Sequence, residues 1–234
     1  MNKIFSLKND LKKLSNPKKA EGFKRFFKTG KNEYGEGDEF LGLNVAQVRE
    51  VAKKHLQKLT YDDLQKLLQD KIHEYRLCAL MILRLQYEKA DKEEKKKFVD
   101  FYLKNTSHIN NWDLVDLSCE YILGNFLLDK KRDILYKLAK SKNLWERRIA
   151  IVSTFEFIRH NQFSDTFKIS EILLNDKHNL IHKAVGWMLR EVGKREEKLL
   201  EKFLEKNCQK MPRVMLKYAV EKFEKKKRKK YLNC

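Results

Sequence analysis

Arg148-Ile149-Ala150-Ile151-Val152 sets one cation ahead of a run of small and apolar residues. The same pattern occurs in Arg76-Leu77-Cys78-Ala79-Leu80 and in Lys183-Ala184-Val185-Gly186-Trp187, and Trp112 heads the corresponding segment between the first two. The spacings are 36 (76 to 112), 36 (112 to 148) and 35 (148 to 183), with weaker copies beginning at Arg49 and Arg213. A period in the mid-thirties, long enough for two helices, is the signature of a helical repeat solenoid. The period is short for HEAT units, so the repeats are read as HEAT-like. The fold class expected is all-α.

The rest of the chain agrees. Only 8 Gly and 2 Pro occur in 234 residues. Such a shortage of turn formers favours helices joined by short loops. Amphipathic helices are expected at Ile4–Leu14, Lys18–Lys28, Val45–Leu59, Thr60–Leu68, His73–Tyr87, Lys92–Lys104, Asn111–Leu128, Arg132–Ala139, Leu144–Arg159, Asp165–Leu174, Leu180–Gly193, Glu197–Lys206 and Pro212–Lys225. The one long loop, residues 29–42, holds four of the eight glycines. The expected organisation is one domain over residues 1–225 and a disordered basic tail over 226–234.

The net charge of +19 is spread along the whole chain. A surface so positive calls for a polyanionic partner, nucleic acid before an anionic membrane. No apolar run approaches the roughly 20 residues of a membrane span, and the first residues do not read as a signal peptide. Cys78, Cys119, Cys208 and Cys234 form no CxxC pair. Reduced thiols and a cytoplasmic location are the expectation.

Repeat register then nominates site residues. The helices sharing the repeat phase would line one groove of the solenoid. Arg49, Arg76, Trp112, Asp116, Arg147, Arg148, Lys183, Trp187, Arg190 and Arg213 would project into it. In Asn110-Asn111-Trp112-Asp113-Leu114-Val115-Asp116, an indole and a carboxylate stand four residues apart and so share a helix face. That face continues through Val115, Cys119 and Ile122. A carboxylate on an apolar stripe is costly without a partner. Two readings stand: a catalytic acid that stabilises positive charge or activates water, or a packing residue bonded to a neighbouring helix end. Helix phase makes Asp113 an ordinary first-turn acid beside the caps Asn110 and Asn111. Arg148 either pairs with Asp116 or clamps a phosphate. Trp187 lies between Lys183 and Arg190 on one face, a setting better suited to nucleotides than to a core. Gly186 inside that helix costs about 1 kcal/mol against Ala, which a tight helix approach or room for a ligand would offset. His178 and His182 are four residues apart but lack a third ligand, so no metal site is assigned.

Three segments carry a family resemblance. Asn-Trp-Asp-Leu-Val-Asp at 111–116, Trp-Glu-Arg-Arg-Ile-Ala-Ile at 145–151 and Lys-Ala-Val-Gly-Trp-Met-Leu-Arg-Glu at 183–191 resemble the signature segments of the AlkD-like DNA alkylation repair proteins. Asn-Pro-Lys-Lys-Ala-Glu at 16–21 and Tyr-Gly-Glu-Gly-Asp-Glu-Phe-Leu-Gly at 34–42 fit as well. The resemblance implies a right-handed superhelix of HEAT-like repeats whose concave basic groove grips double-stranded DNA. It implies a monomeric glycosylase for cationic N3- and N7-alkylated purines, needing neither cofactor nor metal. Asp116 would be the catalytic carboxylate, Trp112 and Trp187 the aromatic walls around the lesion, and Arg148 the residue holding backbone and site together. Arg49, Lys183 and Arg190 would contact phosphates, with Arg76 and Arg147 beside them in the groove. Where some members carry Tyr in the second helix this chain has Phe26, without the hydroxyl. The acidic residues Glu36, Asp38 and Glu39 would narrow the groove or alter substrate choice. The rival readings are a non-catalytic DNA-binding module and, against the charge, a protein-binding solenoid.

Overall fold

The computed structural model describes residues 3–57 and 59–234. Fifteen α-helices occur among the described residues. In the first half they are α1 (Lys3–Lys13), α2 (Pro17–Phe26), α3 (Val45–His55), α4 (Tyr61–Leu68), α5 (His73–Lys89), α6 (Lys92–Lys104) and α7 (Trp112–Asp116). In the second half they are α8 (Asp133–Ala139), α9 (Leu144–Val152), α10 (Thr154–Arg159), α11 (Ser164–Leu173), α12 (Asn179–Gly193), α13 (Glu197–Asn207), α14 (Arg213–Ala219) and α15 (Lys225–Leu232). The described residues contain no strand, only an isolated parallel bridge between Glu39 and Ile72. The fold is an all-α helical repeat. None of the helices is long and apolar enough to cross a membrane.

The chain divides into two compact units, residues 1–118 and 119–234. The first is built on α5. Its residues from His73 to Leu83 are all buried, which is how a helix apolar around most of its circumference must sit. α1, α3, α4, α6 and α7 pack on it. Capping boxes start α3 at Asn44 and α4 at Thr60, satisfying N–H groups that the first turn leaves open. The second unit is built on α12, against which α9, α10, α11, α13 and α14 pack.

Two helices expected to be continuous are broken. The segment 111–128 leaves α-geometry after Asp116, where the Ser118 hydroxyl donates to the Leu114 carbonyl at 2.5 Å. The segment 144–159 breaks at Ser153, and the Thr154 hydroxyl donates to the Ile151 carbonyl at 2.7 Å. Hydroxyls that back-bond to the preceding turn bend or end helices. Gly186 is explained by close approach: a Cβ there would lie 2.5 Å from the Met215 carbonyl oxygen in α14.

Two further expectations are corrected. The tail is not a free basic segment, because Lys225–Leu232 forms α15 and Tyr231 is buried. Nor are all four cysteines reduced: Cys208 and Cys234 form a disulfide, while Cys78 and Cys119 are buried and outside any disulfide.

Candidate functional site

The first unit contains an apolar cavity of about 360 Å³. α2 supplies Phe23 and Phe26, the residue after it is Phe27, α5 supplies His73 and Leu77, and α7 supplies Trp112, Asp113 and Asp116. Two elements bring these groups together. α2 starts at Pro17, with the Asn16 side chain accepting from the Lys19 N–H, and its last turn carries the phenylalanines. α7 starts at Asn111, fully buried, whose side chain accepts from the Trp112 N–H at 2.8 Å. Spacing of four within α7 then sets Trp112 and Asp116 on the cavity wall together.

The aromatic rings form a continuous stack. Trp112 lies over Phe27 with centroids 5.4 Å apart and planes 17° apart. Phe27 stacks on Phe40 at 5.1 Å, and Phe40 on His73 at 4.9 Å. Phe26 meets Trp112 edge-on at 5.8 Å and is 62 % exposed. A ring so exposed beside a cavity is a contact surface more than a core element.

Behind the stack lies a buried charge network. His73 Nε2 is 2.8 Å from an Asp113 carboxylate oxygen, and Nδ1 is 3.5 Å from Asp38. Arg76 pairs with the same Asp38 oxygen at 2.7 Å and donates to the Asp70 carbonyl. Asn110 donates to the other Asp38 oxygen at 3.2 Å. Burial opposes a charged imidazole, but the Asp113 carboxylate beside it, with help from Asp38, outweighs burial and raises the His73 pKa to about 9. Burial likewise works against ionised Asp38, yet His73 and Arg76 hold its pKa below the usual value. The imidazolium therefore ties the loop carrying Asp38 to the start of α7.

Several expectations change here. Asp113 is no ordinary first-turn acid: it is 5 % exposed and holds His73. His73 itself was not nominated. It stands 40 residues from Asp113, in no motif, and no local pattern could have paired them. Arg76 is not a groove residue, being 3 % exposed and committed to Asp38 and Asp70. Of the acidic loop residues only Asp38 is internal; Glu36 and Glu39 are exposed, Glu39 pairing with Lys71 at 2.6 Å and Glu36 accepting from the Asn32 N–H. Arg49 is exposed on α3.

The remaining nominated residues lie in the second unit. Arg147 pairs with Asp176 at 2.6 Å and donates to the Ser141 and Lys142 carbonyls. It clamps the loop that precedes α9. Arg148 is buried and donates to the Leu180 carbonyl at 2.6 Å. Leu180 lies in the first turn of α12, so here the repeated cation ties one helix to another and is in part an internal anchor. Trp187 is half-buried against Phe155, with centroids 5.6 Å apart. Lys183 is half-exposed, and Arg190 pairs with Glu191 and Glu221. His178 and His182 serve the start of α12, the first capping the Leu180 N–H and the second bonding the Asp176 carbonyl.

A family model described as DNA alkylation repair enzyme matches residues 7–223. The chain belongs to this family. Among solved structures it is similar to a predicted DNA alkylation repair enzyme from Enterococcus faecalis, at 17 % identity and TM-score 0.70, over 90 % of this chain and 97 % of that one. It is also similar to AlkD2 from Streptococcus mutans, at 17 % identity and TM-score 0.57, over 86 % and 99 %. At that identity the likeness concerns the fold. A search of curated proteins gives no match. For a family enzyme whose partner is DNA, the cavity carrying Trp112 and Asp116 is the candidate active site.

Proposed function

We propose that this repair enzyme is a glycosylase, hydrolysing the N-glycosidic bond of cationic N3- and N7-alkylated purines in double-stranded DNA. The observation that carries the reading is an acid and an indole, Asp116 and Trp112, on the wall of one apolar cavity in a protein of net charge +19. An alkylated purine already bears positive charge. When its bond to C1′ breaks, the electron pair goes to the base, which leaves neutral without a general acid. The sugar becomes oxocarbenium-like. Asp116 stabilises that cation and accepts a proton from the water that adds to C1′, as carboxylates do in glycoside hydrolysis. An abasic site and a free alkylpurine result. The Trp112 face attracts the cationic base, and apolar surroundings strengthen each of these interactions by excluding water. Arg49, Lys183 and Arg190 are proposed as phosphate contacts.

The test is release of free base from methylated duplex by the wild type and by Asp116→Asn. Release far above the spontaneous rate, lowered by about 100-fold or more in the variant with duplex binding kept, is expected. Binding without release by the wild type would leave a DNA-recognition module and end the glycosylase reading. The same assay on Arg148→Ala and Trp187→Ala tests the roles that the resemblance implies for those two residues.

A further inference from the structure

α15 is an eight-residue helix of sequence Lys225-Lys226-Lys227-Arg228-Lys229-Lys230-Tyr231-Leu232. By its own chemistry it should not form. Like charges three and four residues apart, as in Lys225/Lys229 and Lys226/Lys230, repel. Cations in its first turn oppose the helix dipole. Helices this short are marginal in water even without such charge.

It is held by its surroundings. Tyr231 is buried against Phe223, ring centroids 5.7 Å apart. Lys227 pairs with Glu201 at 3.0 Å and with Glu197. Arg213 donates to the Leu232 carbonyl, and the Cys208–Cys234 disulfide closes the end of the chain. Lys227 is thus spent on attachment. Lys225, Lys226, Arg228, Lys229 and Lys230 are exposed, and none pairs with a carboxylate among the described residues. Five cations are therefore displayed on a fixed backbone, where a free tail would have let them disperse.

The geometry points to a surface for the phosphate backbone of a nucleic acid, independent of whether the cavity carrying Asp116 excises bases; we propose α15 as that surface. A helix of this length covers about 12 Å, enough to face three or four successive phosphates of one strand. Neutralisation by phosphates also relieves the repulsion within the helix, so binding and helix order favour each other. An anionic membrane is the less suitable partner. A helix lying in a membrane interface needs an exposed apolar face, whereas here Tyr231 is buried and Leu232 is half-buried.

The experiment uses the full chain and undamaged duplex, so that excision plays no part. Lys225, Lys226, Lys229 and Lys230 are all changed to Gln, and log K is measured against log salt. A charge-matched control changes Lys198, Lys202, Lys206 and Lys210, which are exposed in and just after α13, to Gln. The α15 variant should bind at least about tenfold more weakly at low salt, with a slope shallower by about 3, since each neutralised phosphate contributes roughly −0.9. The control should lose much less. Circular dichroism should show the variant folded, because its helix has lost repulsion and not its anchors. Equal losses in variant and control would reduce the effect to net charge and overturn the proposal. So would an unchanged slope. So would lysine-dependent binding to phosphatidylserine vesicles with duplex binding intact.

Discussion

His73 is nearly enclosed, yet it stands between two carboxylates and beside a guanidinium. Its pKa is raised from 6.5 to about 9. A group whose pKa is higher folded than unfolded stabilises the fold fully below the unfolded value and loses that contribution as pH rises through the folded one. Stability should therefore decline between about pH 6.5 and 9 by something on the order of a few kcal/mol. Denaturant melts across that window will check it; in His73→Asn the decline should vanish. The same substitution leaves Asp38 and Asp113 buried without their shared cation, which costs roughly 3–5 kcal/mol. Phe26 makes the opposite prediction. At 62 % exposure it supports little of the core, so Phe26→Ala should change the melting temperature by at most a few degrees. If the ring borders the lesion site, base release should fall severalfold; an unchanged rate would remove Phe26 from the site. These two residues also mark how far a sequence can be read. Trp112 and Asp116 were legible because both lie on one helical turn. The partners His73, Asp38 and Asp113 were not, because tertiary folding alone brings 38, 73 and 113 together.

At the scale of elements, the periodicity located nearly every helix, and caps at Asn44, Thr60 and Asn111 marked starts correctly. The breaks after Asp116 and at Ser153 escaped notice because hydrophobic periodicity runs through them. They depend on single hydroxyls turned back on the helix. The close approach of α12 and α14 gives a sharp test. Gly186→Ala would set a methyl 2.5 Å from both the Met215 carbonyl oxygen and the Tyr218 Cβ. Backbone cannot yield as a flexible side chain does, so the helices must part. Overpacking of this kind costs roughly 1–3 kcal/mol, despite the gain in helix propensity. A stabilised Gly186→Ala protein would show that the helices are farther apart. α15 escaped prediction for a different reason: a run of six cations reads as disordered until its anchors are known. One anchor is the Cys208–Cys234 bond, 26 residues apart in sequence. In the loop-entropy view such a link contributes about 3 kcal/mol. Cys234→Ser should lower stability by up to that amount and expose α15 to proteolysis first, which limited digestion would reveal.

For the molecule as a whole, the repeat period carried the fold class, yet the same period misled on charge. Arg76, Arg147 and Arg148 stand near the same phase, and each ties the start of its helix to a neighbouring backbone carbonyl, in a loop for Arg76 and Arg147 and in α12 for Arg148. Their repetition looked like a groove lining. With those three accounted for internally, the polyanion grip must rest on the exposed cations that remain, among them Arg49 and the display on α15. The net charge of +19 still demands such a grip. Binding to undamaged duplex should thus depend steeply on salt. A slope of log K against log salt of about −5 or steeper corresponds to roughly six neutralised phosphates. Substituting the internal arginines should disturb folding, with the slope of any folded fraction unchanged, whereas substituting the exposed lysines of α15 should flatten the slope and leave folding intact. Titrations from low to moderate salt on Arg76→Met and on the α15 lysine variant separate the two classes. If Arg76→Met stays folded and flattens the slope, the buried arginine reaches phosphate after all, and its assignment as an internal anchor fails.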